Sequence, residues 1–330
     1  MGTRVMTVAV YDEGRRWTFP QASLERVREG TPDDVEVRLV GSRTQLLEAL
    51  PETDFLVGFP FTGAQFLLHE QEVSWIQLTG RVGASLESVH PLLESGIRVT
   101  TAAGARATQV GEHALMLTLA LLRGLSGSID GQRSHRWEAE RLSSRARDLG
   151  GSSVCVLGAG SIGGAVGAMF STLGCDVVHV ADTDRSGAIA GGRVFDSSSM
   201  DEALARADVV IVAGEFAHRR SALVRRGELQ TMRTDAYLVD VSRGGLVHEA
   251  DLIRALQREE IAGAALDVFE HEPPGDDSPL WTMPSVVMTP QLSAVSPRYW
   301  ERVSELVVRN MGLLDAGEAM EDEVRLGVGV

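Results

Sequence analysis

At 330 residues, with 44% hydrophobic and 23% charged side chains, the chain has room for two domains with cores of their own. A net charge of −15 at pH 7 opposes a nucleic-acid or anionic-membrane surface, because phosphates would be repelled. All 31 positive side chains are arginine, and the lack of lysine excludes Schiff-base, pyridoxal-phosphate and P-loop lysine chemistry.

In chain order, "MGTRVMTVAVYDEG" gives a short strand-like apolar run and then charge, without the long apolar core of a secretory signal. Met6 occupies the place where a myristoylation signal needs Ser or Thr. No apolar run approaches the length of a membrane span, so no segment is expected to cross a membrane. Short β-rich runs then alternate with helical stretches, at 5–11, 35–40, 54–59, 74–79 and 97–101, a pattern of parallel α/β type. Residues 107–125 predict one long helix whose apolar residues cover most of its circumference, suited to burial between domains or subunits.

The polar, Arg-rich stretch 128–151 reads as a connecting segment. A second α/β series follows, with runs at 154–160, 176–182, 208–214, 236–242, 263–269 and 285–290. These runs are almost continuously apolar, as strands covered on both faces should be, and their spacing leaves room for crossover helices. A last helical segment, 297–320, precedes an acidic tail. Cys155 and Cys175 lie in apolar segments, as small core residues would, and suggest a reducing cytoplasm as the expected location.

"VCVLGAGSIGGAVGAMFSTLG" places Gly158, Gly160 and Gly163 between an apolar strand and a helix, the arrangement of a dinucleotide-binding turn. Gly158 would permit the tight turn, Gly160 the approach of a pyrophosphate, and Gly163 close helix–strand packing. The N–H groups of Ser161 and Ile162, at the positive helix end, would bind that pyrophosphate. Asp182, ending the next strand, is placed for the adenosine ribose hydroxyls and favours NAD, while Asp184 and Arg185 beside it leave NADP open.

With the later segments added, the chain resembles the D-isomer-specific 2-hydroxyacid dehydrogenase family over nearly its whole length. "YLVDVSRGGLVHEADLIRALQREEIAGAALDVFEHEPPGDDSPLWTMPSVVMTP" (237–290) carries most of the likeness. "GIRVTTAAG…VGEHALML" resembles the family's interdomain helix entry, and "SAVSPRYWERV" its glyoxylate/hydroxypyruvate-reductase branch. The resemblance implies two Rossmann-like α/β domains with parallel sheets. A flavodoxin-like substrate domain, 1–102 plus 299–330, would hold an inserted NAD-binding domain, 103–298. It also implies a homodimer through the 107–125 helix, a small carboxylate substrate, and no metal, nucleic-acid or membrane partner.

Carried over by motif, Arg243 would clamp the substrate carboxylate and polarise the adjacent carbonyl, work that suits a planar fork of donors. Asp267 resembles the residue that holds the nicotinamide carboxamide. Ala213, Gly214, Val241 and Ser242 resemble residues that line the cofactor. The backbone around Val82 and Gly83 resembles the loop that cradles the carboxylate, although Ser85 stands where the family carries aspartate. Glu272 matches the acidic partner of the catalytic histidine, and Glu270 reads as a solvated charge.

That histidine is missing. Gln291 follows the Thr-Pro, and an amide can donate a hydrogen bond but has no proton to release near pH 7. Loss of a general acid typically slows a reaction by about 10²–10⁴. Of the eight histidines (His69, His90, His113, His135, His179, His218, His248 and His271), none lies beyond residue 271. His271 reads as a loop residue and His113 as an interface or core residue. Three readings follow: an oxidoreductase whose proton comes from Glu272 or water, an NAD(H)- or metabolite-binding protein on the same scaffold, or a biosynthetic dehydrogenase for an unusual acid such as a phosphonate.

Overall fold

Two sheets form from the apolar runs, one in each of two compact units. This computed structural model describes residues 3–15, 17–79, 86–181, 187–189, 192–214 and 222–324. One unit is built from the chain up to Arg106 and again from Ser296 onward, and the other is Ala107–Val295.

The first unit contains β1 (Arg4–Val8), the small hairpin β2 (Tyr11–Asp12) and β3 (Trp17–Thr18), and α1 (Gln21–Gly30). It continues with β4 (Val35–Leu39), α2 (Arg43–Ala49), β5 (Phe55–Val57), α3 (Gly63–Phe66), β6 (Trp75–Gln77), α4 (Leu86–Glu94) and β7 (Arg98–Thr100). Its sheet runs β4-β1-β5-β6-β7 with every pairing parallel, the flavodoxin-like order in which the first strand lies between the second and third. Met6 pairs with Val37 on one side and Phe55 on the other, so β1 lies inside the sheet, and it is buried along most of its length. The last helix, α12 (Tyr299–Asp315), returns to pack Val303, Leu306 and Val307 against Met6, Phe19 and Leu24. A chain of hydrogen bonds runs through the interior of this unit. Trp75 donates to Thr100 Oγ1 at 2.9 Å, and Thr100 donates onward to Gln77 Oε1 at 2.8 Å.

The second unit begins within α5 (Gly104–Leu122) and continues through α6 (Leu125–Arg133) and α7 (Ala139–Ser143). Then come β8 (Ser153–Leu157), α8 (Ser161–Thr172), β9 (Asp176–Ala181), β10 (Gly187–Ile189), β11 (Gly192–Asp196), α9 (Met200–Arg206) and β12 (Val209–Val212). It ends with α10 (Arg226–Thr231), β13 (Tyr237–Asp240), α11 (Glu249–Gln257), β14 (Gly263–Leu266) and β15 (Val286–Met288). The sheet order is β10-β11-β9-β8-β12-β13-β14-β15, parallel except for the β10–β11 pair. Strand order reverses between β8 and β12, which makes the carboxyl ends of those strands the place for a ligand in an open α/β sheet.

Alternation within the strands accounts for their continuous apolarity. Val154 and Val156 face α5 and α8, while Cys155 and Leu157 face the opposite layer with Leu204 and Leu229. The fold therefore follows the expected α/β class. Two details differ from expectation: the stretch read as a connector contains α6 and α7, and the edge pair β10–β11 had no clear signal.

Phe170 of α8 is fully buried against the sheet. Phe170→Ala is expected to lower the unfolding free energy by about 3–5 kcal/mol through lost burial and a residual cavity. Urea denaturation monitored by circular dichroism would measure this, with the midpoint falling and the denaturant slope unchanged.

Candidate active site

The glycine turn lies at the strand-order reversal. Gly158 follows β8 with φ +135°, a conformation L side chains rarely adopt, and a Cβ there would lie 2.6 Å from Gly214 Cα. A Cβ on Gly163 would lie 2.4 Å from Gly158 O, so each glycine is required by a close backbone approach. Ala213 N donates to Leu157 O at 3.1 Å, bringing the ends of β8 and β12 together beside the turn. Gly160 N-caps α8 without a side chain, and the first turn of α8 carries no acidic residue. The positive helix end, with Ser161 and Ile162 as its first residues, thus fits an anionic pyrophosphate and meets no carboxylate of its own first turn.

Sequence reasoning gave no role here to His179. It is fully buried in β9, its Nδ1 donates to Gly158 O at 3.0 Å, and burial depresses its pKa, so the ring stays neutral. A histidine within an otherwise apolar strand was the available signal. Asp182, Asp184 and Arg185 lie outside the described residues, as do Val82, Gly83 and Ser85.

Three neighbouring parallel strands carry the remaining candidates at their carboxyl ends. Arg243 follows β13, Asp267 follows β14 and Gln291 follows β15. Backbone bonds continue the strands' association past their ends: Asp267 N donates to Asp240 O at 2.9 Å and Gln291 N to Asp267 O at 3.0 Å. Val241 and Ser242 are buried, and Ser242 N donates to Asp240 Oδ1 at 3.0 Å. Arg243 is half-buried and precedes Gly244, whose φ of +85° brings it so close to Phe269 O that a Cβ would clash at 2.6 Å.

Asp267, which the resemblance likens to the residue that holds the nicotinamide carboxamide, follows β14. Its carboxylate is fully buried and accepts from Thr289 Oγ1 at 2.6 Å, Leu292 N at 2.8 Å and Ser293 N at 2.9 Å. His113 Nε2 lies 3.2 Å from Oδ1. The group therefore fastens the turn that bears Gln291. Glu272 is exposed and folds back on its own loop, its Oε1 accepting from Phe269 N at 3.2 Å. His271 is exposed, and Glu270, also exposed, accepts from Glu249 N at the start of α11. Gln291 is half-buried with φ +54°.

Two buried carboxyls at this end of the sheet are pushed in opposite directions. Burial raises Asp240 to about 6, the bonds from Ser242 only partly opposing it, and the charges of Asp267 and Glu272 add to the rise. Burial also opposes ionisation of Asp267, but the bonds from His113, Ser293 and Thr289 outweigh it and hold that carboxyl at about 2.

Residues 115–293 match the family model described as D-isomer specific 2-hydroxyacid dehydrogenase, NAD binding domain. D-3-phosphoglycerate dehydrogenase of Mycobacterium bovis is 33% identical over 304 residues, covering 90% of this chain and 56% of that protein. The chain thus spans about half the length of the first curated relatives it matches. Among solved structures, a probable 2-hydroxyacid dehydrogenase from Rhizobium etli, in complex with NADP, HEPES and L(+)-tartaric acid, superposes with a TM-score of 0.76. It is 22% identical, with 98% of each chain covered. The NADPH-dependent glyoxylate/hydroxypyruvate reductase of Sinorhizobium meliloti, in complex with NADP and sulfate, also gives 0.76, at 20% identity over 99% of this chain and 100% of its own. The chain belongs to the D-isomer specific 2-hydroxyacid dehydrogenase family, and residues 115–293 match its NAD-binding domain.

Asp240 gives a pH signature. Because its folded value is raised from 3.8 to about 6, its stabilising contribution is complete below pH 4 and is lost as pH rises through about 6. At about 1.4 kcal/mol per pH unit, the loss is on the order of 3 kcal/mol. Asp240→Asn is expected to remove this decline, so that the variant gains on the wild type between pH 4 and 7 in chemical denaturation series.

Proposed function

We propose that the protein is an NAD-dependent oxidoreductase that transfers a hydride between nicotinamide and a small 2-hydroxy or 2-oxo acid, with proton handling altered at Gln291. The observation that carries this reading is the occurrence, in one sheet, of a pyrophosphate-type glycine turn with Arg243 and Gln291 at the carboxyl ends of β13 and β15. NAD, when bound, supplies or accepts the hydride. Arg243 binds the acid's carboxylate through its fork of donors and polarises the neighbouring carbonyl. Gln291 donates an amide N–H to the same oxygen and orients it, while the proton is exchanged with water or with the exposed Glu272. Val82 and Gly83 add backbone donors for the carboxylate, and Asp182 receives the adenosine ribose. Residues up to about 102 and beyond 299 serve as the substrate domain, with the cofactor domain between them.

A second reading, a protein that binds NAD(H) without turnover, is favoured by the absence of a titratable group at position 291. Steady-state assays over a panel of 2-oxo acids, alongside NADH fluorescence titration, separate the two. Turnover that falls about 10²–10³-fold in Arg243→Ala, with NADH binding intact, is the expected result. Tight NADH binding with no turnover on any acid would move the conclusion to the binding protein. In an active wild type, Gln291→His is expected to raise the rate on ordinary 2-oxo acids by about 10²–10⁴.

We further propose a homodimer built on α5 and its continuation, in a reducing, cytoplasmic setting. Met116, Leu119, Leu125, Ile129 and Trp137 are all solvent-exposed along this stretch, Trp137 at 95%, and both cysteines are free thiols. Light scattering should give twice the chain mass for the wild type and a single chain mass for the Met116→Glu, Leu119→Glu double variant. A monomeric wild type would remove the proposal.

A further inference from the structure

His113 lies on α5 at the centre of a hydrogen-bond chain to the Gln291 turn. Its ring is 12% exposed, with Nε2 at 2.9 Å from Thr289 Oγ1 and 3.2 Å from Asp267 Oδ1. The Thr289 hydroxyl has one proton, and that proton is directed to Asp267 Oδ1, 2.6 Å away. The hydroxyl oxygen is then an acceptor toward His113, so Nε2 bears a proton whatever the charge of the ring. The network thereby assigns a tautomer that heavy-atom positions alone leave open.

Helix α5 is a firm support for this donor. Val110, Ala114 and Leu117, within one turn on either side of His113, are buried against β8, β12 and β13. On the far side of the chain of bonds, Asp267 accepts from Leu292 N and Ser293 N, and Gln291 N donates to Asp267 O. The residues flanking Gln291 on its carboxyl side are thus tied to a carboxylate whose own orientation depends on His113 and Thr289.

We propose that His113 is a positioning residue for the reaction: its Nε2–H holds Thr289 and Asp267 in place and so fixes the turn that presents Gln291. The role is geometric, because the described contacts of Nε2 are with Thr289 and Asp267. It rests on the functional reading of Gln291 given above, but it also makes a claim about the turn that does not depend on turnover.

The test compares His113→Phe, which keeps the ring volume without the donor, with His113→Gln. In the latter an amide N–H stands the same number of bonds from Cα as the imidazole Nε2. Measured for each would be kcat, KM, NADH affinity by fluorescence, and hydrogen exchange at the Leu292 and Ser293 amides. The phenylalanine variant is expected to lose about 10–100-fold in kcat, since small displacements of reacting groups cost that much, with KM and NADH affinity held. Exchange at Leu292 and Ser293 should quicken in the same variant, and the glutamine variant should restore most of both losses. Wild-type kcat and exchange in His113→Phe would overturn the proposal, and so would equal losses in the two variants. Should the wild type show no turnover, the functional reading fails. The exchange comparison then decides the His113 proposal by itself: quickening in the phenylalanine variant and recovery in the glutamine variant uphold it, and any other pattern rejects it.

Discussion

A carboxylate sealed from water is expensive unless donors surround it, and Asp267 is surrounded. Two backbone N–H groups, a threonine hydroxyl and a histidine converge on its two oxygens, and together they overcome the burial that would otherwise keep it protonated. The four donors come from different parts of the chain: α5 supplies His113, the end of β15 supplies Thr289, and the following turn supplies Leu292 and Ser293. One ionised group therefore fixes a helix, a strand end and a turn against each other. A hydrogen bond to a charged group is commonly worth about 1.5–3 kcal/mol, so four of them determine the arrangement strongly.

The glycine turn depends on a different constraint, exclusion of side chains. Gly158 and Gly214 touch across the point where strand order reverses, and Gly163 touches Gly158 from the helix side. His179 adds a buried bond to the turn's first carbonyl. Backbone segments thus meet without intervening side chains, leaving the positive end of α8 as the polar feature of the turn. Asp267 organises one set of strand ends, and the glycines organise the turn after β8 a few strands away. Both rest on the same sheet, whose central strands β8, β12, β13 and β14 are apolar on both faces.

That sheet was legible because two-sided burial writes itself as uninterrupted Val, Ile, Leu and Ala, and the glycine turn because each glycine answers a steric need at fixed spacing. Residues 128–151 were less readable: their helices are short and mostly exposed, so no apolar stripe distinguishes them from a connector. β10 and β11 are short, each begins with glycine, and they form a sheet edge, where burial constrains sequence least. At the site, Asp267 was visible as a residue but not as a junction. An aspartate after an apolar strand reads alike whether it faces a ligand or four donors, and those donors lie as far away as position 113. His113 was invisible for the same reason, because helical spacing reveals which face is apolar but not which distant hydroxyl a ring will meet.

The turn at 289–293 also explains how position 291 can change its chemistry without disturbing the scaffold. Its φ of +54° is uncommon for a side-chain-bearing residue and must be imposed by the surroundings. The bonds that impose it are made by Gln291 N, Leu292 N, Ser293 N and the Thr289 hydroxyl. None of these bonds is made by the side chain at 291. A ring and an amide could therefore occupy the same backbone frame, the one able to release a proton near neutrality and the other able only to direct a hydrogen bond. The frame and the proton are separable properties of this fold, and conservation of one carries no guarantee of the other. On the proposed reading the amide retains orientation, which the bonds joining Asp267, Thr289 and His113 hold in place.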